Sequence, residues 1–423
     1  MKSSPLKFRL LAVTATAALS AAALSGCSSS TDSSESADTI TWSMWAGDTE
    51  SKQKLEAQMA VAQTAVPGTT IKLQTAPWDD YFTKLNANMA SGDVACVTAM
   101  NGQRLSGYTY AFVPLTDEDL ATAGISRDDY DPSALSVMES GGKLYGLPYD
   151  TATMFLYYNA DLFEKAGSPL PTNDWTIDDF ETAAKTITDK TGVKGFAASI
   201  DEFQWLSLPM AISGVQPVNE DGELDLTNPA FVDAATWYGD LVSSEKVSDA
   251  VPSATDLTWD QGQFDNGQAA MIIDGTWNAT KHTDAATTGF TGGAVRIPAG
   301  PDGTYGVALG SGYGISASCK DKDAALKVLG ALAGPDSQAV IAEQGGYPAQ
   351  LGSQSAYFEN LPAETKDIIQ AAFTSGFEGA TGQRVTDAWT QVSASMPQEL
   401  VSVYTGQTTM PDALKNLQDR FGK

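Results

Sequence analysis

Apolar and polar positions change period repeatedly along this chain. Near the amino end, Thr39-Ile40-Thr41-Trp42-Ser43-Met44-Trp45 alternates, with Ile40, Trp42 and Met44 on one face, and Gly47 follows. The pattern predicts a half-buried strand with Trp42 in the core. Trp45 has the opposite parity at the carboxyl end, where ligands of open α/β sheets gather, so it is a candidate site residue. Residues 79–91 switch to helical spacing, with Phe82, Leu85 and Met89 on one stripe and Gly92 as the stop, and lead into an apolar strand over 94–100. A second helix starts at Thr176, where Thr176 and Asp179 form a capping box and Trp175 and Phe180 take the staple positions. Asn228-Pro229 and Thr409-Met410-Pro411 open further helices, because proline suits the first helical position. Trp237 shares a face with Ala234 and Leu241 and is expected in the core, whereas Trp259 has no clear place. Alternating strands and helices predict an α/β protein with parallel strands.

The first residues follow another pattern. Lys2, Lys7 and Arg9 precede an apolar run from Leu10 that closes in Leu24-Ser25-Gly26-Cys27. A basic start, a short apolar run and small residues make a secretory signal, and the run is too short for a permanent membrane span. The tetrapeptide resembles the lipobox of bacterial lipoproteins, which implies a diacylglycerol on the Cys27 thiol and cleavage before it. Residues 1–27 are thus expected to be a lipoprotein signal and residues 28–38, all small or acidic, a flexible tether. This places the protein on the extracellular face of the cell membrane.

About 385 residues remain, more than one core usually serves, so two lobes are expected. Net charge is −27, and −30 without Lys2, Lys7 and Arg9, which argues against nucleic acid or anionic lipid as partner. With Cys27 lipidated, Cys96 and Cys319 remain, an even number in an oxidising compartment. A disulfide between them is expected, with two buried free thiols as the alternative. The single histidine, His282, reads as part of an exposed loop. No cluster of zinc ligands, no nucleophile elbow and no P-loop or dinucleotide fingerprint occurs, so neither metal nor cofactor is expected. Asn219-Glu220-Asp221-Gly222 fits a tight turn better than a calcium loop. Paired carboxylates such as Asp79-Asp80 and Asp128-Asp129 keep a glycoside hydrolase as an alternative.

Three segments in order resemble the extracellular carbohydrate-binding proteins of ABC importers, the solute-binding family that includes maltodextrin-binding proteins. They are Gly142-Lys143-Leu144-Tyr145-Gly146-Leu147-Pro148 running into residues 156–167, the stretch Phe264-Asp265-Asn266-Gly267-Gln268-Ala269-Ala270-Met271 through Trp277, and Gly310-Ser311-Gly312-Tyr313-Gly314-Ile315-Ser316. One departure is Ala95-Cys96-Val97, where the family usually has Pro-Asp-Val. The resemblance implies a two-lobe periplasmic-binding-protein fold of type II, with a hinge that the chain crosses several times, first near residues 150–156. It implies a first lobe of residues 39–152 plus 304–350 and a second of 153–303 plus 351–423. It also implies a non-enzymatic, monomeric receptor that passes an oligosaccharide to a permease. The same fold with a polyamine, an anion or an iron complex, and an adhesin without a transporter, stay open.

Sugars offer apolar C–H faces and polar edges, so their sites need aromatic platforms and planar polar groups. Trp277 and Trp389 match family aromatics near the cleft, although Trp389 also shares a helical stripe with Val392 and Met396. Trp205 and Trp45 are further candidate platforms, while Trp78 reads as part of its helix cap. Asn101 and Gln103 lie just past a strand, and Asp150 lies at the first crossing. Arg384 suits a bidentate bond to adjacent hydroxyls or an interlobe ion pair. Tyr313 and Tyr347 stand in glycine-rich loops where backbone can approach a ligand.

Overall fold

The alternating strand at the amino end lies as its parity dictates. In the computed structural model, which describes residues 39–422 except Asp131 and Pro362, Thr39–Trp45 pairs in parallel with Thr70–Ala76 on one side and Val97–Asn101 on the other. Ile40, Trp42 and Met44 are buried. Two antiparallel strands complete this sheet, Ser311–Ile315 beside Val97–Asn101 and then the short Leu147–Pro148. The helices Thr49–Ala65, Trp78–Ser91 and Lys322–Ala333 pack on it. Local chemistry starts and stops them. Asp48 and Ser51 form a capping box before the first, and Gly92, at φ 76°, closes the second in a left-handed turn that glycine adopts without strain. Cys96 and Cys319 are disulfide-bonded, which fastens the start of Val97–Asn101 to the loop after Ser311–Ile315. Residues 1–38, with Cys27 and the tether, lie outside the described residues.

The second sheet departs from the expected parallel order. Met154–Asn159 is its centre, and Met271–Gly275 and Gly292–Arg296 flank it, both antiparallel to it. The reason is directional: Met154–Asn159 carries the chain away from the junction with the first sheet, and its two neighbours run back toward it. All six of its residues are buried because each face meets a core. Met154, Leu156 and Tyr158 join a large cluster with Phe163, Phe180, Trp205, Tyr238 and Trp389, while Phe155 and Tyr157 join a smaller one with Phe264, Tyr357 and Phe373. A separate cluster of Trp42, Val97, Met100, Tyr313 and Leu326 fills the first lobe.

Three backbone segments run side by side where the lobes meet. Ala152 and Leu309 exchange hydrogen bonds of 2.9 and 2.8 Å, and the Thr151 amide donates to the Tyr347 carbonyl at 3.1 Å. These crossings form the hinge.

Other expectations resolve locally. The Thr176–Asp179 box caps the helix Ile177–Thr191, and Asn228 and Thr409 cap the helices that begin with proline at the first or second position. The helix expected over 79–91 starts one residue earlier, at Trp78, and the strand expected over 94–100 is Val97–Asn101. Trp237 is half-buried rather than fully enclosed, because its indole N–H reaches Glu181 at the helix surface. Trp259 opens the short helix Trp259–Asp265 and packs partly on the second-lobe core. His282 is the clearest correction. It is fully buried in the short helix Ala279–Thr283, not exposed in a loop, because two carboxylates enclose it.

Candidate functional site

Strands that end at the lobe junction bring their last residues together. Trp45 ends Thr39–Trp45, Asn101 ends Val97–Asn101, and Trp277 follows Met271–Gly275. Around them is a cavity of about 330 Å³ whose lining also includes Trp78, Gln103, Arg104, Tyr149, Asp150, Asp201, Glu202, Gln204 and Ser311. Residues of both lobes contribute. A groove of about 440 Å³ elsewhere, between Thr49–Ala65 and Lys322–Ala333, has no aromatic in its lining.

The aromatic wall combines an edge-on contact with tilted and stacked ones. Trp45 lies 5.0 Å from Trp78 and 6.3 Å from Tyr149, and Tyr149 stacks at 4.7 Å on the buried Tyr313. Opposite stands Trp277, 40% exposed, with its ring over Gly275; a Cβ at residue 275 would meet that ring at 2.3 Å. Trp277 also lines an outer cleft of about 840 Å³, so it divides two compartments. Gly102 allows the turn after Asn101 to press against Val137, where a Cβ would meet a side-chain carbon at 2.1 Å. That contact sets Gln103 and Arg104 at the cavity.

The Arg104 guanidinium lies 4.9 Å from the centre of the Trp78 ring and 5.0 Å from that of Phe82. It donates to Asn101 at 3.1 Å and pairs with Glu202 of the second lobe at 3.4 Å. Glu202 in turn accepts from the Trp389 indole and from the Ser393 hydroxyl. Asp150 accepts from the Ser311 amide at 2.7 Å, and Asp201 caps the helix Glu202–Ser213 by accepting from the Glu202 amide at 2.9 Å. Burial, opposed by those amide bonds, pushes each of these two carboxyls up to about 7. Among the lining residues, two buried acceptor atoms have no partner, Gln103 Oε1 and Gln204 Oε1, on residues 3% and 2% exposed. The bond from Gln204 Nε2 to Asp274 fixes which end of that amide is the nitrogen, since a carbonyl oxygen cannot donate to a carboxylate.

Behind Gln204 lies a closed charge cluster. Asp274 accepts from His282 Nε2 at 2.8 Å and from Asn278 at 2.8 Å, while His282 Nδ1 meets Asp265 at 2.7 Å. Burial opposes the charge on His282, but bonds to Asp265 and Asp274 raise its pKa to about 9, so it is an imidazolium donating from both nitrogens.

Of the residues singled out from sequence, Trp45, Asn101, Gln103, Asp150 and Trp277 surround this cavity. The other five lie away from it. Trp205 is enclosed in the second-lobe core between Phe231 and Tyr238. Tyr313 stands in a strand, not a loop, bonded to Gln58 behind Tyr149. Tyr347 packs among Tyr357, Phe358, Phe373 and Phe377. Arg384 is bound to Gln216 and the Val218 carbonyl. Trp389 is buried with Val392 and Met396 and touches the cavity only through Glu202. Arg104, Tyr149, Asp201, Glu202 and Gln204 were not singled out. The one signal for the last three was position: they open a helix directly beside the noted Trp205.

Two α/β lobes, a hinge of crossing segments and an aromatic cavity at strand ends define a solute-binding architecture. The chain belongs to the bacterial extracellular solute-binding protein family, whose model matches residues 46–339. It is 28% identical over 278 residues to the lactose-binding protein of Rhizobium radiobacter, covering 64% of this chain and 62% of that one. It is 25% identical to a maltooligosaccharide ABC transporter solute-binding lipoprotein of Streptococcus pneumoniae (strain ATCC BAA-255 / R6), over 67% of this chain and 66% of that one. An ABC substrate-binding protein of Listeria monocytogenes, solved in complex with cycloalternan, superposes with a TM-score of 0.79 at 25% identity, over 90% of this chain and 97% of that one.

Proposed function

We propose that this chain captures a sugar, an oligosaccharide, in the interlobe cavity and delivers it to an ABC importer permease. The observation that carries this reading is the pairing of Trp45, Trp78, Tyr149 and Trp277 with planar polar groups in one cavity drawn from both lobes. Aromatic faces match sugar C–H surfaces and amides and carboxylates match hydroxyls. The named relatives bind lactose, maltooligosaccharide and cycloalternan. Binding involves no covalent step and no cofactor, and the protein acts as a monomer. The two lobes comprise residues 39–152 plus 304–350 and 153–303 plus 351–423, and a ligand that touches both favours the closed arrangement. A diacylglycerol on Cys27 holds the protein to the outer face of the membrane. No helix among the described residues is long and apolar enough to cross it.

A thermal-shift screen against mono- and oligosaccharides, amino acids, polyamines and metal ions, with product analysis of each hit, tests the reading. A ligand at 100 times its Kd adds about 2.7 kcal/mol. Stabilisation by an intact oligosaccharide is expected. A carbohydrate set without effect beside a polyamine or anion hit overturns the substrate class, and cleaved product overturns the non-enzymatic reading. Loss of membrane retention in Cys27→Ser tests the anchor.

A further inference from the structure

One short segment of the first lobe presses on the second. Within Gly102–Ala111, Arg104 pairs with Glu202 at 3.4 Å, the Ser106 hydroxyl donates to the Thr386 carbonyl at 3.3 Å, and Gly107 lies against the backbone of Asp387. A Cβ at residue 107 would meet the Asp387 carbonyl oxygen at 3.0 Å and, beyond that carbonyl and its own chain neighbours, nothing within 4 Å. Its φ is not in the left-handed region, so the backbone there accepts a side chain. Glycine at 107 therefore serves the approach of the two lobes and not the fold of its own. The two halves of the ion pair are each held by their own lobe. Asn101 and the rings of Trp78 and Phe82 fix Arg104, while the Trp389 indole and the Ser393 hydroxyl donate to Glu202. In contact the two side chains are 10% and 2% exposed.

A buried ion pair attracts on balance only where further hydrogen bonds satisfy its remaining groups, and Glu202 has two such donors. Both partners are also held in place beforehand, so little side-chain freedom is lost when they meet. Ser106, Gly107, Thr386 and Asp387 do not line the cavity, so the seam continues past the ligand site. We propose that this seam draws the lobes together before any ligand is bound, with Arg104 and Glu202 supplying the attraction and Gly107 the clearance. The ligand-free protein then favours the closed arrangement. A ligand binds more tightly as a result, because less of its interaction energy goes into closing the hinge. The proposal rests on the hinge closure in the reading above and not on the identity of the sugar.

Small-angle X-ray scattering of the ligand-free full chain tests it, read as differences between variants that share the same amino-terminal residues. Gly107→Val sets a side chain against Asp387 and should raise the radius of gyration beyond replicate error. Glu202→Gln, which removes the charge facing Arg104, should raise it as well; Arg104→Gln takes its place if circular dichroism shows that Glu202→Gln does not fold. Gly262→Val, at a glycine whose Cβ would meet nothing within 4 Å, should leave it unchanged. An unchanged radius in folded Gly107→Val overturns the proposal, because the lobes then do not rest on this seam without ligand. A rise in Gly107→Val alone overturns the attraction assigned to Arg104 and Glu202, and with it the proposal. An equal rise in Gly262→Val also overturns it, since the expansion is then not specific to the seam. No sugar enters the measurement, so its failure leaves the sugar-binding reading intact, and failure of that reading shows separately in the thermal-shift screen.

Discussion

Two groups of buried acids lie back to back in this protein, separated by Gln204, and they are finished differently. Around His282, Asp265 and Asp274 face an imidazolium that donates to both, and Lys281 pairs with Asp265 from outside at 2.7 Å, while the buried Asp260, which feels the charge of Asp274, keeps one oxygen unpartnered. Around the cavity, Asp150 and Asp201 each accept from one backbone amide, and the one cation of the lining, Arg104, is paired with Glu202 instead. Buried polar groups cost stability unless they are paired. The first group is therefore a fixture of the fold, and the second lacks a cation of its own.

The largest effect should come from opening the closed group. His282→Ala leaves two buried carboxylates without their cation, and a loss on the order of 3 kcal/mol is expected in chemical denaturation. A change below 1 kcal/mol would mean that the pair is not integral to the fold. The pH dependence separates the two groups. The folded His282 pKa of about 9 lies above its ordinary 6.5, so its contribution is complete below pH 6.5 and is lost as pH rises through 9. Asp150 and Asp201, raised from 3.8 to about 7, and Asp260, raised well above its ordinary value by burial and by the charges of Asp274 and Asp201, bind more protons folded than unfolded, so the ligand-free protein should lose stability as pH rises from 4 through 7. Denaturation midpoints at pH 4, 7 and 9.5 should show both losses in the wild type, and His282→Ala should keep only the earlier one.

On the cavity side, Trp277→Ala should weaken sugar binding at least tenfold, about 1.4 kcal/mol, while the melting temperature of the ligand-free protein moves little. An unchanged isotherm removes Trp277 from the site. The smallest and most discriminating change is Gln103→Leu. Replacing an unsatisfied buried acceptor by an apolar side chain of similar size should stabilise the empty protein by about 1 kcal/mol and weaken the ligand severalfold. Destabilisation would show that Gln103 is already satisfied without ligand.

Local signals were legible, whereas among long-range ones the pairing of Cys96 with Cys319, expected from the even cysteine count, was the exception. Parity placed Trp42 in the core and Trp45 at a strand end, and the Thr176–Asp179 box marked a helix start, because each depends only on near neighbours. The strand Met154–Asn159 has no parity to read, being apolar or aromatic up to Asn159 and buried on both faces, so its antiparallel partners had no local signature. His282 was misread because a polar residue in polar sequence looks solvated; the carboxylates that enclose it lie 8 and 17 positions away. Trp205, Tyr313 and Tyr347 came from aromatic or glycine content alone, which does not distinguish a ring at a cavity from one inside a core. Arg104 and Glu202, which join the lobes, belong to segments 98 residues apart and announce nothing singly.

The strand Ser311–Ile315 lies between Val97–Asn101 and Leu147–Pro148, and this has a consequence for the order of assembly. During synthesis the first sheet lacks an inner strand, the edge-on contact of Tyr313 with Trp42 and the sulfur partner of Cys96 until the ribosome has passed Cys319. By then residues 154–297, which supply all three strands of the second sheet, have already been made. The first sheet is therefore completed only after all three strands of the second have been made, and its open strand edge must be shielded from other chains in the meantime.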